Sequence, residues 1–477
     1  MIMVKPFFVG GEAGAGKTRR LMEEAALFGG RLISKPHQRA LVMAVMHGAR
    51  RQLHSTLNRF CPALPVTVST VHSFALRVVN RWRRCLGLAA PVTICDTSCR
   101  LAELHERTQA TFEEVIHLAC ELLESTTVKE TLAESYPLVI VDEFQDCVGS
   151  TLRFVQALGD STKLLLGADH FQLLGDEVEG CPAVDWIQHL RGEGNVEYVE
   201  LAGCHRTNAP AILQASRALR DNVKATQCTV PVYYGYQPAQ VAYRICERFT
   251  GWGGVKQIAN GTCALVALSV DDVQLHKLLE SFGRQLERRT SRRVNWSQGA
   301  SEGQLQNELI AELGLNSDGI PGTEWSANHL ALSGRALEVA EDVARFSKLR
   351  GISTIPRELV RQFAKLAVHN ARAFAKTSPR CQVLTVHGAK NREFDHVFVF
   401  WSYKNSGWSI EQQRRLLYNA VTRAKVDCTV LVLGDLKRTQ ADPAVSLLGP
   451  AQPAIDPTWK KRTQTKPKAP RRPAHSS

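Results

Sequence analysis

The run Gly11-Glu12-Ala13-Gly14-Ala15-Gly16-Lys17-Thr18 has the G-x-x-x-x-G-K-[ST] spacing that cradles a polyphosphate. Glycines let backbone N–H groups close around phosphate oxygens, and a helix starting there adds positive potential. The required setting is present: Phe7-Phe8-Val9-Gly10 reads as a short buried strand, and a helical stretch follows to about Phe28. Lys17 is then placed to reach the β and γ phosphates, and the Thr18 hydroxyl to ligate Mg2+. Such a loop needs a second carboxylate at the end of a neighbouring strand. Leu138-Val139-Ile140-Val141 is a continuous apolar run, as a parallel strand buried on both faces demands, and it ends in Asp142-Glu143. Asp142 can hold Mg2+, and Glu143 can orient and deprotonate an attacking water.

The elements that must position these groups follow from the apolar pattern. Runs at 7–9, 40–45, 138–141 and 163–167, separated by helical segments, read as one parallel sheet covered on both faces. Runs at 264–268, 381–386, 397–401 and 428–433 repeat the arrangement. The expected fold class is α/β, with two RecA-like domains of parallel sheet, each carrying a mostly helical insert. At 477 residues, 44% hydrophobic and 22% charged, the chain fits two to four globular domains.

No run approaches the roughly 20 apolar residues needed to span a bilayer. Met1–Gly10 is too short for a signal peptide, so a cytoplasmic location is expected. The thirteen cysteines are scattered: Cys95 and Cys99, with Cys85 upstream, lack a second ligand pair, and buried reduced thiols are expected over a metal site. The net charge of +13 favours a polyanionic partner. Residues 449–477 hold seven Lys/Arg, one Asp and six prolines. They read as a disordered basic arm for nucleic acid, or equally as a solubilising tail.

Asp142-Glu143-Phe144-Gln145-Asp146 resembles the corresponding element of UvrD/Rep-like superfamily 1 helicases, and further segments fall in that family's order. Thr70-Val71-His72-Ser73-Phe74 is similar to T-x-H-S-F, Ala168-Asp169-His170-Phe171-Gln172 to G-D-x-x-Q, and Leu201 to Asn208 to L-x-x-N-Y-R-S/T. Thr385 to Asp395 resembles T-x-H-x-x-K-G-x-E-F-D, and Arg414 to Lys425 resembles R-R-L-x-Y-x-A-x-T-R-A. The resemblance covers about residues 9–434.

It implies an ATP- and Mg2+-dependent motor on single-stranded DNA, moving 3′ to 5′ and hydrolysing ATP between two domains. Catalytic roles fall to Glu143, to Gln172 as sensor of the γ-phosphate, and to Arg206 and Arg423 as arginine fingers. Gly11, Gly14, Gly16, Lys17, Thr18, His205 and Glu393 would bind the nucleotide, and Thr18 and Asp142 the metal. Thr70, His72 and Ser73 in one domain, with Thr385, His387 and Lys390 in the other, would contact the strand. Helix capping by Thr70 or Ser73 is the lesser alternative. Arg77, Arg81, Arg83 and Arg84 around Trp82 can line the track or form a solvated helix face. The implied domains are 1–74 with 137–203, a small helical insert at 75–136, 204–280 with 381–448, a reduced insert at 281–380, and the tail. The second insert opens with Arg284, Arg288, Arg289, Arg292 and Arg293 near Trp296. From Asn295 to about Ala336 no period is legible.

The sequence also departs from the family. Only ten residues precede Gly11, so its upstream adenine-reading glutamine segment is expected to be missing. His205 stands in the aromatic platform position, Leu173-Leu174-Gly175-Asp176 replaces an aromatic-rich stretch, Asn391-Arg392 replaces Gly-Leu, and His47 takes an Asn position. These changes weigh against efficient unwinding more than against hydrolysis. The alternatives are an ATP- and DNA-dependent switch, or a translocase working with a nuclease or replication protein. Duplex DNA junctions are further possible partners, and an RNA track remains open.

Overall fold

The computed structural model describes residues 5–45, 53, 56, 57, 59–94, 109–175, 180–225, 229–290, 294–298, 309–313, 319–321, 325, 332, 334–374, 380–402 and 408–455. The chain forms two compact units, Met1–Arg206 with Gln298–Ser378, and Thr207–Ser297 with Pro379–Ser477.

In the first unit, β1 (Phe7–Gly11) leads into α1 (Lys17–Leu32), β2 (Ala40–Ala44) and β3 (Val66–Thr70). Two short strands follow, β4 (Thr93–Ile94) and β5 (Gln109–Ala110), and then β6 (Leu138–Asp142), β7 (Lys163–Ala168) and β8 (Glu197–Leu201). The main sheet runs β3-β2-β6-β7-β1-β8, with every neighbour parallel. Alternate side chains go to opposite faces. Phe8, Leu41, Met43, Val139, Val141 and Leu166 share one core with Phe74, Val78, Ile116 and Leu122 of helices Val71–Trp82 and Phe112–Glu124. Phe7, Val9, Val42, Ile140 and Leu165 share another with Leu21, Met22 and Ala25 of α1. The helical insert after Thr70 therefore covers one face of the sheet instead of standing apart from it. Helix Phe112–Glu124 starts on a reciprocal cap: the Thr111 hydroxyl accepts from Glu114 N, and the Glu114 carboxylate accepts from Thr111 N.

The later strands are β9 (Val232–Gly235), β10 (Cys263–Ala267), β11 (Ser297–Gln298) and the antiparallel pair β12 (Gly319–Pro321) and β13 (Thr354–Pro356). Then come β14 (Cys381–Thr385), β15 (Phe394–Ser402), β16 (Ala424–Leu433) and β17 (Gln452–Pro453). The second sheet runs β11-β14-β10-β15-β16-β9-β17, and the pairings from β14 to β17 are parallel. Helix Val273–Glu287 spans the expected insert boundary at 281. It gives Leu275, Leu278, Phe282 and Leu286 to this sheet's core, so the compact unit continues to Ser297. Trp296 packs there, edge-on to Phe249 at 5.9 Å and to Phe282 at 6.0 Å. The segment 298–378 has a small core of its own. Trp325 meets in it with Val339 and Val343 of helix Gly334–Arg350, Ile355 of β13 and Val360 of helix Arg357–Phe374. Among the described residues no helix is long and apolar enough to cross a membrane.

Candidate active site

The phosphate loop is shaped by the three glycines singled out in the sequence. Gly11, Gly14 and Gly16 have φ of 152°, 81° and 91°, where a side chain strains the backbone. Space forbids one too, since a Cβ on Gly14 would come within 2.7 Å of Cys204 Sγ and 2.8 Å of Arg206 Cβ. Lys17 opens α1 and is nearly buried. Its ammonium donates to the carbonyls of Gly11 at 2.9 Å and Glu12 at 3.0 Å, which holds it over the loop.

β1 and β6 are separated by β7, yet the start of α1 and the end of β6 meet in one contact: Thr18 Oγ1 donates to Asp142 Oδ2 at 2.7 Å. A hydroxyl and a carboxylate side by side are hard oxygen donors of the kind that hold Mg2+ with substrate phosphates. Burial first, then the charge of Glu143, pushes the Asp142 carboxyl up to about 6. The Thr18 hydrogen bond and the Lys17 charge pull it back. Below that pH a metal must displace a proton. Mg2+-dependent nucleotide affinity should therefore fall by up to about tenfold per pH unit below 6, while metal-free binding changes less. Titrating nucleotide with and without Mg2+ at pH 5 and pH 7 tests this, and equal pH dependence in both would refute it.

Glu143 turns out of the strand in a left-handed conformation, φ 56° and ψ 42°, and its N–H donates to Asp142 Oδ1 at 3.1 Å. Gln145 was not among the residues expected in the site. Fully buried, it donates from Nε2 to Glu143 Oε2 and accepts from Asp169 N at 3.1 Å. Asp169 shapes the turn after β7. Its carboxylate accepts from Phe171 N at 3.1 Å, and its carbonyl accepts from Gln172 N at 2.9 Å. Gln172 is buried, and so is Leu173, which points into the unit where the family carries its aromatic stretch. The backbone N–H of His205 donates to Gly14 O at 2.7 Å, and the exposed ring lies against Gly16. Half-buried Arg206 packs beside Gly14. The first unit thus gathers the loop, Thr18, Asp142, Glu143, His205 and Arg206, and links Gln172 to them through Gln145 and Asp169.

The two candidate strand-contacting elements are built alike. Thr70 ends β3 and caps the next helix, its hydroxyl accepting from Ser73 N at 3.1 Å and donating to Ser73 Oγ at 2.8 Å. Thr385 ends β14 and accepts from Gly388 N at 2.9 Å. Val71 and Val386 anchor the two turns in their cores. The capping role left open for Thr70 is thus present, and Thr385 has the same role in the second unit. Ser73 and His387 are exposed, whereas Lys390 is nearly buried. His72 lies edge-on to Phe112 at 5.2 Å, and burial pushes its imidazole down, which disfavours the charged form. Among the arginines near Trp82, Arg81 and Arg84 are exposed. Arg83 donates to Asn80 O at 3.0 Å, and Arg77 lies over the Phe74 ring.

In the second unit Arg423 is buried. Its Nε donates to Asn419 O at 3.0 Å, its Nη2 to Thr422 Oγ1 at 3.2 Å, and its carbonyl accepts from Phe394 N beside the exposed Glu393. Asn391 has φ 61°, the left-handed conformation that glycine provides and asparagine tolerates, so the Gly-to-Asn departure preserves the turn. Arg414 is structural, donating to the last carbonyls of helix Pro210–Asp221 at Leu219 (2.8 Å) and Arg220 (2.6 Å). His47, Cys95, Cys99, Asp176, Arg292, Arg293 and the tail from residue 456 lie outside the described residues.

A parallel sheet with a glycine-shaped strand–loop–helix turn and a Thr–Asp pair beside it is the arrangement that a P-loop nucleotide site requires. A family model described as an AAA domain matches residues 1–176, and one described as the UvrD-like helicase C-terminal domain matches residues 381–431. Together the two matches indicate a UvrD-like superfamily 1 helicase, and the two parallel sheets fit two RecA-like domains. Domains of this kind imply ATP binding, typically with Mg2+, and ATP-dependent helicase activity on nucleic acid. No curated protein matches the chain.

Proposed function

We propose that the protein is an ATP-driven single-stranded DNA translocase or helicase, moving 3′ to 5′. Thr18 and Asp142 hold Mg2+, Lys17 and the loop glycines bind the phosphates, and His205 and Glu393 contact base and ribose. Glu143 activates water, Gln172 senses the γ-phosphate, and Arg206 and Arg423 stabilise transferring charge. Thr70, His72 and Ser73 together with Thr385, His387 and Lys390 grip the strand through its backbone. The observation that carries this proposal is the 2.7 Å contact of Thr18 with Asp142 beside Glu143, an arrangement suited to hydrolysis as well as to binding. The inward-facing Leu173 favours a second proposal, an ATP- and DNA-dependent switch with little base stacking or unwinding of its own.

The test is steady-state ATPase activity with and without single-stranded DNA or RNA, at low and moderate salt, beside a Lys17→Ala control. A motor gives strong DNA stimulation that weakens with salt and vanishes in the control. Strand displacement on tailed duplexes then reads polarity. Stimulation with neither displacement nor directional movement along the strand supports the switch, and no stimulation by either nucleic acid overturns both.

A further inference from the structure

We propose that Gln145 is the positioning residue for hydrolysis, fixing the Glu143 carboxylate and tying it to the turn that carries Gln172. This rests on Glu143 acting as the base, as proposed above. Glu143 has already left β6 and is in a left-handed conformation, so the strand does not hold its side chain. The Gln145 side chain lies beneath it, wholly removed from solvent, and a buried amide is costly unless both ends are bonded. Both ends are bonded here, one to Glu143 Oε2 and one to Asp169 N.

A carboxylate only accepts and a main-chain N–H only donates, so the amide has a single workable orientation. An ionised glutamate offers two acceptors in that place, and methionine neither a strong donor nor a strong acceptor. Asp169 continues the chain, because its carbonyl receives Gln172 N at 2.9 Å and its carboxylate shapes the same turn. The ends of β6 and β7, each bearing one group of the hydrolytic machinery, are thus joined through one side chain. An amide on one oxygen of Glu143 sets the direction of the other, and orientation at the reacting centre is where small displacements cost most.

Two variants separate the halves of the link. Gln145→Glu keeps length and the acceptor toward Asp169 N but turns a second acceptor toward Glu143. Gln145→Met keeps volume and loses both bonds. Each is expected to lower kcat by about 10- to 100-fold, with KM for ATP and affinity for a non-hydrolysable ATP analogue within about twofold of the parent. In a Glu143→Gln background, Gln145→Glu should cause no further loss, because residues acting as a unit are not additive.

A melting curve and analogue binding confirm that each variant is folded. Parental kcat in a folded Gln145→Met protein overturns the proposal, as do losses that multiply in the double variant. A Glu143→Gln protein with parental turnover would instead overturn the base assignment and the Gln145 role with it. The two failures are distinguishable, since only the second leaves Glu143→Gln active.

Discussion

Glu143→Gln should lower ATP turnover by about 10²- to 10⁴-fold, the usual contribution of a positioned general base, and leave nucleotide affinity within about twofold. The substitution is isosteric and leaves untouched both the Thr18–Asp142 contact and the Lys17 bonds to the loop carbonyls. It also removes a negative charge. Glu143 is the second cause, after burial, of the raised Asp142 carboxyl. With that charge gone Asp142 ionises more readily, and the acid limit of Mg2+-dependent binding should move to lower pH. Single-turnover hydrolysis together with nucleotide titrations at several pH values tests both points. Near-parental hydrolysis would remove Glu143 from its role, and an unmoved acid limit would mean that burial alone sets Asp142.

The parts of the fold legible in the sequence are those where burial on both faces imposes a continuous apolar run. β1, β2, β6 and β7 are wholly buried and were readable as such. β8 was not, because Glu197-Tyr198-Val199-Glu200-Leu201 is an edge strand with half-exposed positions, and Lys163 pairs with Glu197 there. β9, four residues with two tyrosines, lies between β16 and the short β17 and gives an equally weak pattern. In the site, the phosphate loop and the Asp142-Glu143 pair were legible because each is contiguous and its spacing carries the chemistry. Gln145 was invisible, since its meaning depends on Asp169, 24 residues away and on another strand end. Asn391 shows the converse: a departure in residue type need not be one in conformation, because its φ of 61° still supplies the turn.

Lys17→Ala should have the opposite signature to Glu143→Gln, with nucleotide affinity itself falling by about 10²- to 10³-fold and turnover with it. Lys17 is 8% exposed, and its ammonium rests on two neutral carbonyls, so its charge is poorly screened. One consequence is direct, the loss of the cation facing the β and γ phosphates. The other passes through Asp142. Lys17 is one of the charges holding the Asp142 carboxyl down, so its removal lets burial push that group above its present value of about 6. The metal ligand is then more often protonated at neutral pH, and Mg2+ must displace a proton that the parent protein has already lost. The two losses separate by pH. Absence of the phosphate contact is felt equally at pH 6 and pH 8, whereas the protonation deficit is present at pH 6 and fades by pH 8. Binding of Mg2+–ATP to the variant should therefore recover in part as the pH is raised, and metal-free binding should not. An equal deficit at both pH values would confine Lys17 to the phosphates and leave Asp142 governed by burial and Glu143.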